Sequence, residues 1–238
     1  MKKTIYLLLF ILLFAPFLLH AQSDSTSSTL ISTNVIVRYQ SADFSSFNQT
    51  ATDLGYPTFD SRLLGIGGEF QYTQGRSVNS LGFVWYEANS ETTVNASQKG
   101  AFFNQWEIQF RSEYDLLSND KWVLSPGVGW AIQWSQLGLS DRAEVNGVEQ
   151  ALNTEVQKIT RFDVPIDLAL SLQRHIQLGE GMNSLLLGLR GGYRLDFGDD
   201  EWKTDGVIPM SDPGIDPSGW FLSLRVGLSG PKAKDSRL

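Results

Sequence analysis

Residues 159–173 read Ile159-Thr160-Arg161-Phe162-Asp163-Val164-Pro165-Ile166-Asp167-Leu168-Ala169-Leu170-Ser171-Leu172-Gln173. One face of this run is Phe162, Val164, Ile166, Leu168, Leu170 and Leu172; the other is Arg161, Asp163, Pro165, Asp167, Ala169, Ser171 and Gln173. A strict period of two is the mark of a β-strand with one apolar and one polar face. The next strand, Asn183 to Phe197, sets Leu185, Leu187, Leu189, Gly191, Tyr193, Leu195 and Phe197 against Leu186, Gly188, Arg190, Gly192, Arg194 and Asp196. A short Gly-rich connection through Gly179 and Gly181 joins the two.

Working outward, six more alternating segments give strands at about Ile31–Gln40, Arg62–Thr73, Ser80–Ala88, Phe102–Leu116, Lys121–Trp134 and Gly219–Ser229. Long connections at about 41–61, 89–101, 135–158 and 198–218 alternate with three short ones, around Gly75, Ser118-Asn119-Asp120 and Gly179. Eight strands with alternately long and short connections predict a single closed antiparallel transmembrane β-barrel, with short turns in the periplasm and long loops outside. The third strand has no sign of its own, because Phe83, Val84, Trp85 and Tyr86 are apolar on both faces.

A soluble lipocalin-type barrel also alternates, with its apolar face inward. The residue types decide the sign. Mid-strand cations are arginines that share a face with carboxylates and glycines, whereas Lys121 and Lys158 lie at strand edges. The inward set holds Arg38, Arg111, Arg161, Arg190, Arg194 and Arg225 with Glu69, Glu107, Glu113, Asp163, Asp167 and Asp196. Planar guanidinium groups pair bidentately with carboxylates, which suits a buried ion-pair network. Trp122 and Trp134, twelve residues apart on one face, span about 40 Å of strand, or about 30 Å vertically at a tilt near 40°. With Trp106 and Trp220 they are the candidate interfacial aromatics.

The N-terminus carries Lys2 and Lys3, an apolar run from Ile5 to Leu19 broken by Pro16, and Ala21 before a polar stretch. That pattern is a secretory signal, with cleavage expected after Ala21. The expected divisions are a signal peptide at 1–21, a short periplasmic segment at 22–30, the barrel at 31–229 and a polar periplasmic tail at 230–238. Without Lys2 and Lys3 the 19 basic residues become 17, against 26 acidic ones, for a net charge of −9. An acidic chain with no basic cluster is a poor nucleic-acid binder. The chain has no cysteine, so disulfides, thiolate metal sites and a lipidated Cys are excluded.

With this topology and interior charge, the chain resembles the small OmpA/OmpX-type barrels, and most of all the outer-membrane β-barrel domain proteins of Bacteroidetes-type bacteria. The most specific piece is the last strand, Ser218-Gly219-Trp220-Phe221-Leu222-Ser223-Leu224-Arg225-Val226-Gly227-Leu228. It is similar to the C-terminal strand by which assembly machinery recognises such proteins. Many members end on an aromatic, whereas here Leu228 precedes a polar tail. The resemblance implies fold and location, and no activity.

Catalytic chemistry finds little support. The mature chain has one histidine, His175, at a short turn on the predicted periplasmic side, without the Ser–His arrangement of an outer-leaflet acyl hydrolase. Glu107 with Glu113, or Asp163 with Asp167, have spacings open to acid/base work, but six arginines on the same face favour ion pairs. Asp199, Asp200, Glu201, Asp205, Asp212 and Asp216 lie in the last long loop; a solvated acidic loop is favoured over a Ca²⁺ site because no EF-type spacing occurs. Asn48-Gln49-Thr50 and Asn95-Ala96-Ser97 match a glycosylation sequon by chance. No cofactor, metal or catalytic residue is expected.

Three functions stay open. The first is a structural or interaction protein that presents the four long loops to lipopolysaccharide, the environment or an envelope partner, with Lys232, Lys234 and Arg237 of the tail as a second docking element. The second is a narrow pore or a path for small apolar molecules, if interior Gly65, Gly67, Gly127, Gly129, Gly188 and Gly192 leave space. The third is a barrel subunit of a secretion or assembly machine. The expected partners are outer-membrane lipid and lipopolysaccharide, barrel assembly machinery and an envelope protein, and no nucleic acid.

Overall fold

The structure, a computed structural model, describes residues 29–94, 97–117, 121–143, 157–179, 184–197, 202–204, 208–210 and 213–230. The expected signal peptide at 1–21, residues 231–238 of the expected tail, and Asp199, Asp200, Glu201, Asp205 and Asp212 lie outside these residues. Strands β1 (Thr29–Ser41), β2 (Arg62–Gln74), β3 (Ser77–Val94), β4 (Ser97–Tyr114) and β5 (Trp122–Ala143) form an antiparallel meander. β6 (Gln157–Asp163) and β7 (Ile166–Gln177) follow as one interrupted stave, then β8 (Ser184–Leu195), the short β9 (Trp202–Thr204) and β10 (Ile208–Met210), and β11 (Gly219–Ser229). β11 pairs with β1 from Gln40↔Phe221 to Ser32↔Ser229, and the sheet closes. Counting β6 and β7 as one wall element, the barrel has eight staves.

Alternation of exposure identifies the two faces. Leu168 and Leu170 are 51 and 53 % exposed, while Asp167 and Ser171 beside them are 2 and 0 % exposed. The apolar face points outward along every stave and the charged face inward, the inverse of a water-soluble barrel. β3 takes its orientation from its neighbours: Phe83 and Trp85 point out, Val84 and Tyr86 in.

Four features differ from the sequence reading. The connection 41–61 contains a helix, α1 (Ser45–Asp53). The connection at 89–101 is largely wall, because β3 and β4 continue to Val94 and Ser97 in register, and β5 runs on into the 135–158 connection as far as Ala143. The 159–173 stretch is interrupted at Val164-Pro165, where proline has no N–H to donate. β5 pairs with β6 up to Asp163 and with β7 from Ile166; the Ala131 N–H still donates to the Pro165 carbonyl at 3.0 Å. Finally, the 198–218 connection carries β9 and β10, and β9 adds to the edge of β6.

α1 forms because it can bury one narrow face. Phe47 and Ala51 point inward, and the rest of the helix is Ser, Thr, Asn, Gln and Asp. Its end is a Schellman motif: the Gly55 N–H donates to the Thr52 carbonyl at 2.9 Å and the Tyr56 N–H to the Ala51 carbonyl at 2.8 Å. Gly55 has φ of 75°, a conformation that a Cβ disfavours.

Candidate functional site: the barrel interior and its mouth

The twelve charged residues read as interior fall into three groups in space. At the centre, Asp167 accepts from Arg38 Nη2 at 3.0 Å, Arg111 Nη2 at 2.7 Å, and Arg194 Nε and Nη2 at 2.8 and 3.2 Å. Arg194 also donates to Glu107 and, at 3.1 Å each, to Gln40 and Gln133. Tyr86 Oη donates to Glu107 at 2.8 Å. Toward the short turns, Arg190 donates to Glu69 at 2.7 Å and Glu113 at 2.9 Å, and Arg225 donates to Glu69 at 3.1 Å. Ser125 and Ser171 hydroxyls each donate to Glu113 at 2.9 Å. Toward the mouth, Arg161 donates to Asp163 at 2.8 Å, to the Ile215 carbonyl at 3.2 Å, and to Asp196.

These groups are buried, and their partners make that tolerable. Buried charges are costly unless they are both paired and hydrogen-bonded, and each carboxylate here has an arginine within ion-pair distance. Glu107 and Glu113 do not share a site, and neither do Asp163 and Asp167. Instead Arg194 joins Glu107 to Asp167, Arg190 joins Glu113 to Glu69, and Arg161 joins Asp163 to Asp196, so neither pair suggested by spacing is formed. Of the neutral members, Ser125, Gln133 and Ser171 fall on faces that the sequence turns inward, whereas Gln40 and Tyr86 were not singled out. Their only signal is strand parity, which places them on the charged face.

Interior glycines make room for these long side chains instead of leaving a lumen. A Cβ on Gly129 would lie 2.7 Å from Arg111 Cγ, on Gly127 2.5 Å from Glu113 Cγ, on Gly188 3.2 Å from Arg225 Nε and on Gly65 2.6 Å from the Tyr86 ring. Phe221 also turns inward, with the Arg38 guanidinium 3.9 Å over its ring centroid.

Above the charged layer the mouth is closed by an apolar one. The 42–61 connection inserts Phe44, Phe47 and Phe59 against Phe103, Leu137, Trp202 and Ile215. Phe47 and Phe59 stack at 5.4 Å, and Phe44 meets Phe103 edge-on at 5.2 Å. Asn48 fixes the cap internally: its amide donates to the Phe59 carbonyl at 2.8 Å and accepts the Phe59 N–H at 2.9 Å. The cap is tied to the rim by Lys99 Nζ, 2.8 Å from the Leu54 carbonyl and 4.6 Å over the Tyr56 ring. A two-bond bridge between Asp43 and Asp216 adds a second tie. The Ser45 N–H donates to the Asp43 carboxylate at 2.8 Å and holds it below the usual aspartate range. Arg62 does the same for Asp60.

The four tryptophans read as interfacial all point outward. Trp106 and Trp134 are cross-strand partners stacked at 6.2 Å, Trp220 meets Tyr193 edge-on at 5.0 Å, and Trp122 carries the Arg174 guanidinium 5.2 Å from its centroid. His175 sits at the short-turn end with its N–H on the Lys121 carbonyl. Among the described residues no group of three or more side chains could hold a metal ion.

A closed sheet with an apolar exterior and a charged interior defines a transmembrane β-barrel. No family model and no curated protein matches the chain. Among solved structures it is similar to Neisserial surface protein A (9% identity, covering 85% of this chain and 96% of that one, TM-score 0.43). It is also similar to Ail, the attachment invasion locus protein of Yersinia pestis (11%, 85% and 98%, TM-score 0.43), and to the outer membrane protease OmpT of Escherichia coli (7%, 88% and 99%, TM-score 0.37). Likenesses this distant carry no functional argument.

Proposed function

We propose that this protein is a non-enzymatic outer-membrane barrel of the kind found in Bacteroidetes-type bacteria, which acts as a structural or interaction protein through its extracellular end. The short turns face the periplasm, and the capped mouth faces outward. The observation that carries this reading is the filled interior. Salt-bridged arginines span the barrel from wall to wall, and the aromatic cap lies over them, so the charged side chains act as internal struts. The rim of β3, β4 and β5, the polar face of α1 and the 198–218 connection make up the surface open to lipopolysaccharide or an envelope partner. The ring of lipid-facing side chains is the anchor.

Single-channel recording on the purified chain in a planar bilayer tests this reading against the pore. A silent bilayer is expected. Steady conductance steps would favour transport through the interior.

A further inference from the structure

The outer face of the barrel has a charge that the interior network does not use. Arg174 follows Leu168, Leu170 and Leu172 on the lipid-facing row of β7. Its cross-strand partner on β5 is Trp122, and its guanidinium lies 5.2 Å from the indole centroid. Each interior arginine touches a carboxylate, and Arg62 touches Asp60. Among the described residues no carboxylate pairs with Arg174. A cation on a barrel's lipid face is costly at the bilayer midplane and tolerated near the interface. Arg174 lies three residues from the end of β7, next to the short-turn end, and in a membrane-spanning barrel that end approaches the headgroups. The stacked indole holds the guanidinium in place without neutralising it.

Four residues along the same row, the face has a dent. Gly191 of β8 sits in register between Leu170 of β7 and Leu222 of β11, on the outward side. Around it the outer face forms a shallow, open depression bordered by Leu168, Leu170, Tyr193 and Trp220. Arg174 to Leu170 is about 13 Å of strand, or about 10 Å of depth at a tilt near 40°, which lies within one leaflet of a hydrocarbon core about 30 Å thick. A cation and a shallow apolar depression within one leaflet of each other, joined by the Leu172–Leu170 ridge, suit the headgroup and the upper acyl chain of one lipid molecule.

We propose that this face of β7 and β8 is a phospholipid site. The phosphate sits on Arg174 beside Trp122, and one acyl chain lies along Leu172 and Leu170 into the depression at Gly191. The phosphate supplies the anion that the protein does not, and the chain fills the dent. The choice of phospholipid rests on the orientation proposed above, which turns this end toward the periplasmic leaflet.

Native mass spectrometry of the full mature chain in detergent, titrated with dioleoyl phosphatidylethanolamine, dioleoylglycerol or inorganic phosphate, tests the site without depending on that orientation. Phosphatidylethanolamine should bind, and dioleoylglycerol and phosphate alone should not. Arg174→Gln and Gly191→Leu should each weaken phosphatidylethanolamine binding about tenfold, the size expected for one charge-assisted contact or a few buried methylenes. Gly191→Leu has room to fold, since a Cβ there meets nothing nearer than Leu222 Cδ1 at 3.7 Å; heat-dependent gel mobility checks both variants. Wild-type affinity in both variants, or dioleoylglycerol binding as tightly as the phospholipid, would overturn the proposal. Inorganic phosphate displacing the lipid would also overturn it, by reducing the site to a lone anion contact. Protease accessibility of the short turns in intact cells tests the orientation separately.

Discussion

Asp167 and Arg194 are direct cross-strand partners on β7 and β8, and they meet through two parallel hydrogen bonds of 2.8 and 3.2 Å inside the barrel. The same carboxylate also accepts from Arg38 and Arg111, which reach it from distant staves. One anion thus ties four parts of the wall together. Asp167→Ala would leave three guanidinium groups around one remaining carboxylate, Glu107. Removing one partner of a buried ion pair costs about 3–5 kcal/mol, and a loss of this size is expected in urea unfolding of the lipid-reconstituted barrel. The exposed Asp60–Arg62 pair is the control, and Asp60→Ala should leave the unfolding midpoint close to that of the wild type.

Two adjacent glycines on β2 should behave differently. A Cβ on Gly67 would lie 1.8 Å from the Phe83 carbonyl oxygen, which no side-chain rotation relieves; on Gly68 the nearest atom is the Asn34 carbonyl oxygen at 3.7 Å. Gly67→Ala is expected to break the β2–β3 ladder and abolish detergent-resistant folding, while Gly68→Ala folds normally. Parallel refolding of the two variants into micelles, followed by circular dichroism, separates them.

The aromatic cap is a separable layer. Phe59→Ala deletes a buried ring that touches Phe44 and Phe47, a change worth about 3–5 kcal/mol in a packed core. The loss should fall on residues 42–61 and not on the wall. Hydrogen exchange should show faster exchange across α1 with the amides of β7 and β8 unchanged.

The cap should also respond to acid. Asp43 accepts the Ser45 N–H and the carboxyl is held below its ordinary value. A carboxylate depressed in the folded state contributes its stability above the unfolded value and loses it as pH falls through the folded one. Docking of 43–53 should therefore be constant at neutral pH and weaken below about pH 4. Asp43→Asn should remove this contribution, and amide exchange of α1 measured from pH 5 to 3 reads the difference.

Strand parity made most of this legible. In β7, β8 and β11 the apolar and charged sets separate cleanly, so the assignment of Arg190, Arg194, Arg225 and Asp167 to one face needs no structure. β3 lacked that contrast, because Val84 and Tyr86 are interior yet apolar. α1 was hidden for a different reason. Two buried residues, Phe47 and Ala51, hold it to the barrel, too few to print a helical period on a Ser- and Thr-rich stretch. The longer reach of β5 past Trp134 passes through Gln136 and Gly138, which carry no strand preference alone and are held by the β4 ladder. Arg174 fell beyond the end assigned to its strand, so its outward direction could not be read. Which arginine meets which carboxylate depends on barrel shear, and that is a property of the closed sheet, not of any one strand.

Gel mobility of the outer-membrane fraction, unboiled against boiled, would test the inverted barrel before any of these. A closed barrel held by its full ladder and buried ion pairs keeps its fold in detergent until heated. A heat-dependent shift of the protein in the membrane fraction is the expected result. A single band at both temperatures, with the protein in the soluble periplasm, would mean that the apolar face is turned inward and would contradict the fold and location described here.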